Sequence, residues 1–379
     1  MRPTYLEINL DQLKENLQAI RAYVSPAKVL AVLKANAYGH GIEGVAPFIA
    51  PFADYIGVAI VEEGIALRRM GITTPILVMG GTLPEQIPDF LEHDLTLAAS
   101  SIGLIESAEQ AAAAASKRLA VHLKIDTGME RIGAREYEAA ALIESSLRCS
   151  HLNVEGIFTH FANSEEMALR GIKQAYPKTS AALQLERFEE VLAIYEKLSA
   201  PRPALRHAAN SGGTLLMKES HYDMVRPGIL FYGIYPARNI EKTIAVKPAA
   251  RWKSRVTFSK ITEARRGVSY GSLWHPEKPE RILSIPCGYA DGYFRVMTGK
   301  AQVIINGKKY PQVGRICMDQ FMVNAGADEI PIGAEVTLLG DGITPEDAAD
   351  WAGTNEYEVM TNISARVPRV FISNHKRLD

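Results

Sequence analysis

The sequence predicts an α/β protein, a (β/α)8 TIM-type barrel followed by a mainly β C-terminal domain. Two observations predict the barrel: eight short apolar runs within residues 1–240, and segments of helical period between them. A third predicts the second domain, because the pattern over 241–379 changes to closely spaced strands and turn signals. A doubly wound open sheet is the rival for the first part, but it rarely needs eight regular units.

The eight strand candidates are residues 29–33, 56–60, 76–79, 95–98, 119–125, 154–159, 204–207 and 222–225. They are rich in Val, Ile and Leu and mostly uncharged, as strands buried on both faces must be. Residues 11–24 place Leu13, Leu17, Ile20 and Val24 on one side of a helix. Residues 61–70, 101–116, 135–147 and 181–198 read as further helices, and the alanine run 111–115 belongs to one of them, alanine being the best helix former. Residues 163–178 carry neither period and read as a long loop at the carboxyl end of a strand. Beyond residue 240, strands are expected at 251–257, 281–286, 301–305, 310–313, 321–324 and 335–339. Asn306-Gly307 is a hairpin signal, because a type I′ turn needs positive φ at both positions. Helical pieces at 344–351 and 358–365 close the chain. The strand-like residues 5–10 precede the barrel count and are free to pair with the C-terminal domain.

Composition narrows the function. Lys and Arg number 42 and Asp and Glu 43, a net charge of −1. Nucleic-acid and membrane-surface proteins need a basic excess, so neither partner is expected. The three cysteines show no CxxC spacing and fit a reducing compartment. The histidines lack metal-ligand spacing, so no metal is expected. The first residues lack an apolar signal core, and no run approaches about 18 apolar residues. A cytoplasmic protein acting on a small molecule is the expectation.

In a barrel, functional side chains stand at the carboxyl ends of the strands. Lys34 and Tyr38 follow the first, and Gly39 and Gly41 then break the chain into a loop. Lys124, Asp126 and Arg131 follow the fifth, Thr159, His160 and Asn163 the sixth. His207, Asn210, Ser211, Gly212 and Gly213 follow the seventh, and Arg226, Pro227, Gly228 and Ile229 the eighth. A strand-end amine suits imine chemistry with an aldehyde cofactor. Barrel phosphate sites are often built from the seventh and eighth loops, and here both expose backbone N–H groups beside glycine. Pyridoxal 5′-phosphate carries both an aldehyde and a phosphate.

The run Ala31-Val32-Leu33-Lys34-Ala35-Asn36-Ala37-Tyr38-Gly39-His40-Gly41 resembles the cofactor-attachment motif of the alanine racemases, fold-type III pyridoxal-phosphate enzymes. The resemblance extends through Lys124-Ile125-Asp126-Thr127-Gly128-Met129-Glu130-Arg131-Ile132-Gly133, His207-Ala208-Ala209-Asn210-Ser211-Gly212-Gly213 and Val225-Arg226-Pro227-Gly228-Ile229. It continues through Val268-Ser269-Tyr270-Gly271, Gly288-Tyr289-Ala290-Asp291-Gly292 and Gly314-Arg315-Ile316-Cys317-Met318-Asp319. It implies that Lys34 carries the cofactor covalently, with Tyr38, Ser211, Gly228, Ile229 and Tyr357 around its phosphate and Asn210 and His160 nearby. Arg226 would meet the ring nitrogen, with His207 behind it. Arg131 would neighbour the phenolic oxygen, supported by Lys124, which many relatives carry as a carbamate. The family is a homodimer with shared active sites, so the partner subunit's Tyr270, Met318 and Tyr289 would complete the site, with Asp319 in support. Two residues depart from the family pattern: Phe294, where proline is common, and Glu130, which is expected to face solvent.

Racemisation removes the α-proton from one face and returns one to the other, which calls for two opposed bases. Lys34 suits one face and Tyr270 the other. A phenol ordinarily titrates near about 10, so this role calls for nearby cations or a group such as His160 to take the proton on. A guanidinium donates a hydrogen bond to the ring nitrogen without giving up its proton, which keeps the electron sink weak and favours simple proton return. The expected activity is interconversion of L- and D-alanine, supplying D-alanine for peptidoglycan. Alternatives are a same-fold racemase of serine or another small amino acid, a barrel decarboxylase, and a non-catalytic pyridoxal-phosphate carrier. The β domain with Tyr270 argues against the carrier, and Arg226 against the decarboxylase.

Overall fold

The structure is a computed structural model that describes residues 2–165 and 180–378. The loop expected at 163–178 lies outside the described residues from 166 onward. The chain divides into two compact units. One, the barrel unit, comprises Lys14–Ala37 and Glu43–Val246. The other, the β unit, comprises Met1–Leu13, Tyr38–Ile42 and Lys247–Asp379.

In the barrel unit eight parallel strands follow one another around a nearly closed ring. Starting from the first, they are Lys28–Val32, Tyr55–Val58, Ile76–Val78, Thr96–Ala99, Leu119–Asp126, Leu152–Phe158, Leu205–His207 and Met224–Val225, the last pairing back onto the first. The seventh and eighth strands do not ladder, but the gap is bridged by Asp223 N–H to Arg206 O (3.1 Å) and Arg226 N–H to Ala209 O (2.9 Å). The eighth strand is shorter than expected because Tyr222 has φ 46°, a left-handed residue that cannot extend a ladder. The second, third and fourth strands are buried at every position, which explains their unbroken apolar runs. Helices lie between strands as the periodicity requires, including Val61–Arg69, Ile102–Ala114, Ala139–Leu147 and Ser180–Lys197. Ser101 caps the second of these by accepting Leu104 N–H at 3.2 Å.

The β unit contains a ten-stranded sheet. Tyr5–Asn9 lies within it, antiparallel to Ala250–Arg255 and parallel to Arg369–Ser373. Asn306 (φ 50°) and Gly307 (φ 77°) turn Gln302–Ile305 into Lys308–Val313, with Ile305 opposite Lys308. Three strands of this sheet escaped the sequence reading, one of them the two-residue Lys376–Arg377 at its end. Phe258–Thr262 sits at the sheet's edge and shows little alternation of burial, so the period-two signal is weak. Arg369–Ser373 is short and follows Pro368, which masks its start. The closing helices are Pro345–Ala352, capped by Thr344, and Glu356–Thr361, capped by Asn355.

Candidate active site

Lys34 leaves the first strand into an unusual turn. Ala35, Asn36, Ala37 and Tyr38 all have φ between 52° and 56°, a left-handed helical turn without glycine. The expected loop at Gly39 and Gly41 therefore begins earlier and is more ordered than the glycines suggested. Each such residue costs about 1–2 kcal/mol, so the conformation needs fixed partners. Ala37 N–H bonds to Leu33 O at 2.9 Å, and Glu63 accepts Ala35 N–H at 2.6 Å and Ala59 N–H at 2.8 Å. Tyr232 hydroxyl donates to Val32 O at 2.8 Å and pins the strand just before the lysine. Neither Glu63 nor Tyr232 was singled out in the sequence, because nothing in their local pattern marks them.

The electrostatics favour a reactive amine at Lys34. Burial pushes its pKa down, Arg131 pushes it further, and Glu63 opposes both. Lys124 is pushed down to about 8, by burial first and then by Arg131 and Arg226, while its Nζ donates to Met79 O at 2.8 Å. His160 is held well below its usual range by burial and by Arg226, Arg131, Lys124 and Lys34. Its Nδ1 lies 3.4 Å from Arg226 Nη2. The barrel mouth thus carries a cluster of cations around a neutral imidazole, a setting for an anionic ligand.

Three loops are fixed by buried or half-buried polar side chains. Asp126 Oδ1 accepts Gly128, Met129 and Glu130 N–H at 2.9, 2.8 and 3.0 Å, and its Oδ2 accepts Arg131 N–H at 2.9 Å. Glu130 is exposed and pairs with Arg135 at 2.6 Å. Gln184, overlooked in the sequence, accepts Ala162 N–H at 2.8 Å and donates to His160 O at 2.9 Å. After the seventh strand, Asn210 accepts Gly213 N–H at 2.9 Å as a helix cap, and buried Ser211 accepts Leu230 N–H at 3.3 Å through its Oγ. Gly228 precedes the short 3-10 turn Ile229–Tyr232. Among the described residues no group of three or more His, Cys, Asp or Glu is arranged to hold a metal ion.

Arg226 is 3% exposed. Its Nη1 donates to His207 Nδ1 at 2.7 Å, and its Nη2 to Thr159 O at 2.7 Å and Ala208 O at 3.0 Å. Burial pushes this guanidinium down to about 9, so it stays protonated at neutral pH. Phe158 supports it: the Arg226 guanidinium lies 5.2 Å from the Phe158 ring centroid, and the His207 ring stacks on Phe158 at 4.7 Å.

The remaining sequence-predicted residues lie in the β unit. Tyr38 is buried, and its ring centroid is 6.1 Å from that of Tyr357. Arg369 holds this segment by donating to Gly39 O at 3.0 and 2.9 Å. Tyr270 is 72% exposed and lines a groove of about 770 Å³ with Ser269, Cys317, Met318 and Asp319. Positive φ at Ser269 (65°), Gly271 (74°) and Ser272 (46°) makes the turn that presents it. Tyr289 and Met318 are brought together, since Tyr289 N–H bonds to Cys317 O at 3.1 Å and Ala290 N–H to Met318 O at 3.0 Å. Gly288 permits this approach: a Cβ there would stand 2.3 Å from Met318 O. Asp319 pairs with Arg366 at 2.7 Å.

A strand-end lysine of lowered pKa, set among cations at the mouth of a (β/α)8 barrel, defines a lysine-centred barrel enzyme. Residues 8–236 match the family model for the alanine racemase N-terminal domain, and residues 249–371 that for the alanine racemase C-terminal domain. The chain is 42% identical over 379 residues to an alanine racemase of Carboxydothermus hydrogenoformans, covering 98% of this chain and 100% of that one. Among solved structures, alanine racemase of Clostridium difficile 630 superposes with a TM-score of 0.92 at 35% identity, over 100% of this chain and 98% of that one. Alanine racemase of Bacillus anthracis with bound L-Ala-P gives a TM-score of 0.90 at 34% identity, over 100% and 97%. The chain belongs to the alanine racemase family, and with it to the isomerases.

Proposed function

We propose that the protein interconverts L- and D-alanine with pyridoxal 5′-phosphate, as a cytoplasmic homodimer that supplies D-alanine for peptidoglycan. The observation that carries this reading is Lys34, an amine of lowered pKa within the cation cluster of Lys124, Arg131 and Arg226. The structure of the Bacillus anthracis relative holds L-Ala-P, which supports an alanine-sized substrate.

The barrel residues fit the cofactor. Arg226 is buried, yet its Nε–H and one Nη1–H have no partner among the described residues, which suits a ring-nitrogen acceptor. Lys34 would be the covalent attachment point. By the resemblance, Ser211, Gly228, Ile229, Tyr38 and Tyr357 would hold the cofactor's phosphate, with Asn210 shaping the loop. Arg131, supported by Lys124, would stand by its phenolic oxygen. When bound, the cofactor acidifies the substrate's α-carbon–hydrogen bond by withdrawing electrons.

The chain's own groups then handle the proton. Lys34 Nζ would take or return the α-proton on one face. The hydroxyl of Tyr270 of the partner subunit would serve the other face, with His160 the candidate to pass its proton on. Arg226 donates a hydrogen bond and keeps its proton, so charge building on the substrate is stabilised only enough for proton return. Tyr289 and Met318 of the partner bound the substrate side, and Asp319 steadies that loop through Arg366. Incubation with L-alanine in deuterium oxide tests this. D-Alanine bearing α-deuterium is expected; product from serine but none from alanine, or release of carbon dioxide, contradicts it.

A further inference from the structure

A chain of polar side chains runs through the barrel unit away from Arg226. Arg226 Nη1 meets His207 Nδ1 at 2.7 Å, and His207 Nε2 meets His122 Nδ1 at 2.8 Å. His122 Nε2 faces Glu155 Oε1 at 3.4 Å and has no other partner among the described residues. Glu155 also accepts the Tyr55 hydroxyl, which lies 2.8 Å from Thr96 Oγ1. Tyr55 and Thr96 open the second and fourth strands, whereas Arg226 follows the eighth, so the chain runs from one end of the barrel toward the other. Room has been made for it: a Cβ on Gly156, the register partner of His122, would lie 2.4 Å from that ring.

The donors and acceptors along this chain allow one assignment. A guanidinium has no acceptor, so His207 Nδ1 must accept. Both imidazoles are fully buried, and burial together with Arg226 pushes both below their usual range, with Glu155 opposing this at His122, so both are assigned neutral. Neutral His207 then carries its proton on Nε2 and gives it to His122 Nδ1. Neutral His122 carries its proton on Nε2, the atom facing the carboxylate. Reversing either tautomer would set two N–H groups against each other, at the Arg226 contact for His207 and at the His207 contact for His122.

We propose that Glu155 is a positioning residue that fixes the tautomers of His122 and His207 and thereby aims the unpartnered N–H groups of Arg226 at the cofactor's ring nitrogen. The inference rests on the reading of Arg226 given above. No residue of the chain beyond Arg226 touches cofactor or substrate; the effect is one of orientation, transmitted through two rings.

The first test needs no substitution. Nitrogen-15 spectra of histidine-labelled protein, with and without pyridoxal phosphate, are expected to show His122 and His207 both protonated on Nε2 alone. A proton on Nδ1 of either overturns the proposal. The second compares Glu155→Leu and Glu155→Gln in the loaded enzyme. Glu155→Leu is expected to mix the tautomers, shift the bound-cofactor absorbance and lower kcat at least tenfold, with KM for alanine within about threefold. Glu155→Gln, which retains an acceptor oxygen, is expected to restore the tautomers and most of kcat. Unchanged tautomers and kcat in folded Glu155→Leu overturn the inference alone. An Arg226→Leu enzyme with unchanged cofactor absorbance and kcat overturns instead the reading on which it rests.

Discussion

Asp126 and Arg131 are joined through the backbone: the carboxylate of one accepts the N–H of the other at 2.9 Å, the last of four such bonds to a single side chain. Against the opposing pull of burial, these donors hold the Asp126 carboxyl below its ordinary value. Asp126→Ala is therefore expected to destabilise the fold by about 2–4 kcal/mol, since hydrogen bonds to a charged group carry ~1.5–3 kcal/mol each and water recovers part of the loss. Racemisation should fall with it, because Arg131 loses its fixed loop. Asp126→Asn, whose Oδ1 still accepts, should lie between; urea melts and kcat/KM check the order.

Lys34→Ala should abolish the absorbance band of bound pyridoxal phosphate and reduce racemisation to background. Backbone bonds to Glu63 and Leu33 hold the left-handed turn and survive the substitution, so the melting temperature should stay within a few degrees. Absorbance after gel filtration and a thermal melt together check both halves.

Stability should fall as the medium is acidified. His122, His160 and His207 are all held below their usual range when folded. The unfolded chain binds protons at these groups near pH 6.5 and the folded one does not, so the unfolded state binds more protons as pH drops. Each group contributes about 1.4 kcal/mol per pH unit below 6.5 until its folded pKa is reached, or ~4 kcal/mol per unit for the three. Urea midpoints measured between pH 7.5 and 5 should decline steeply below 6.5; a flat profile contradicts the assignment of three neutral imidazoles.

Gly39 has φ 80°, and a Cβ there would stand 2.2 Å from Met360 O. Both the backbone conformation and the close approach exclude a side chain. Gly39→Ala is expected to cost about 2–4 kcal/mol, readable as a lower urea midpoint, whereas Gly299→Ala, where nothing lies within 4 Å, should cost only the strain of its positive φ.

Much of this was legible in the sequence, for identifiable reasons. Strands buried on both faces leave unbroken apolar runs, and helices leave a period of 3.6, so the barrel could be counted. Lys34, Arg226 and Tyr270 stood at strand ends or in distinctive motifs. The groups that hold them did not. Glu63 looks like any glutamate in the first turn of a helix, and Gln184 and Tyr232 act through backbone atoms far away in sequence. The left-handed turn after Lys34 was hidden because Ala35, Asn36 and Ala37 favour ordinary helix or loop, and tertiary hydrogen bonds override that preference. The link from Glu155 to Arg226 depends on which side chains point inward from separate strands, which periodicity cannot resolve at short barrel strands.

In the proposed function two opposed groups, Lys34 and the partner subunit's Tyr270, share the α-proton between faces. Early in a reaction of L-alanine in deuterium oxide, mass analysis of both separated enantiomers tests it most directly. D-Alanine is expected to carry α-deuterium while the recovered L-alanine still carries protium, with D-alanine formation lost in Tyr270→Phe. Protium carried from L-alanine into D-alanine, or a Tyr270→Phe enzyme of full activity, would mean that a single group serves both faces and would contradict it.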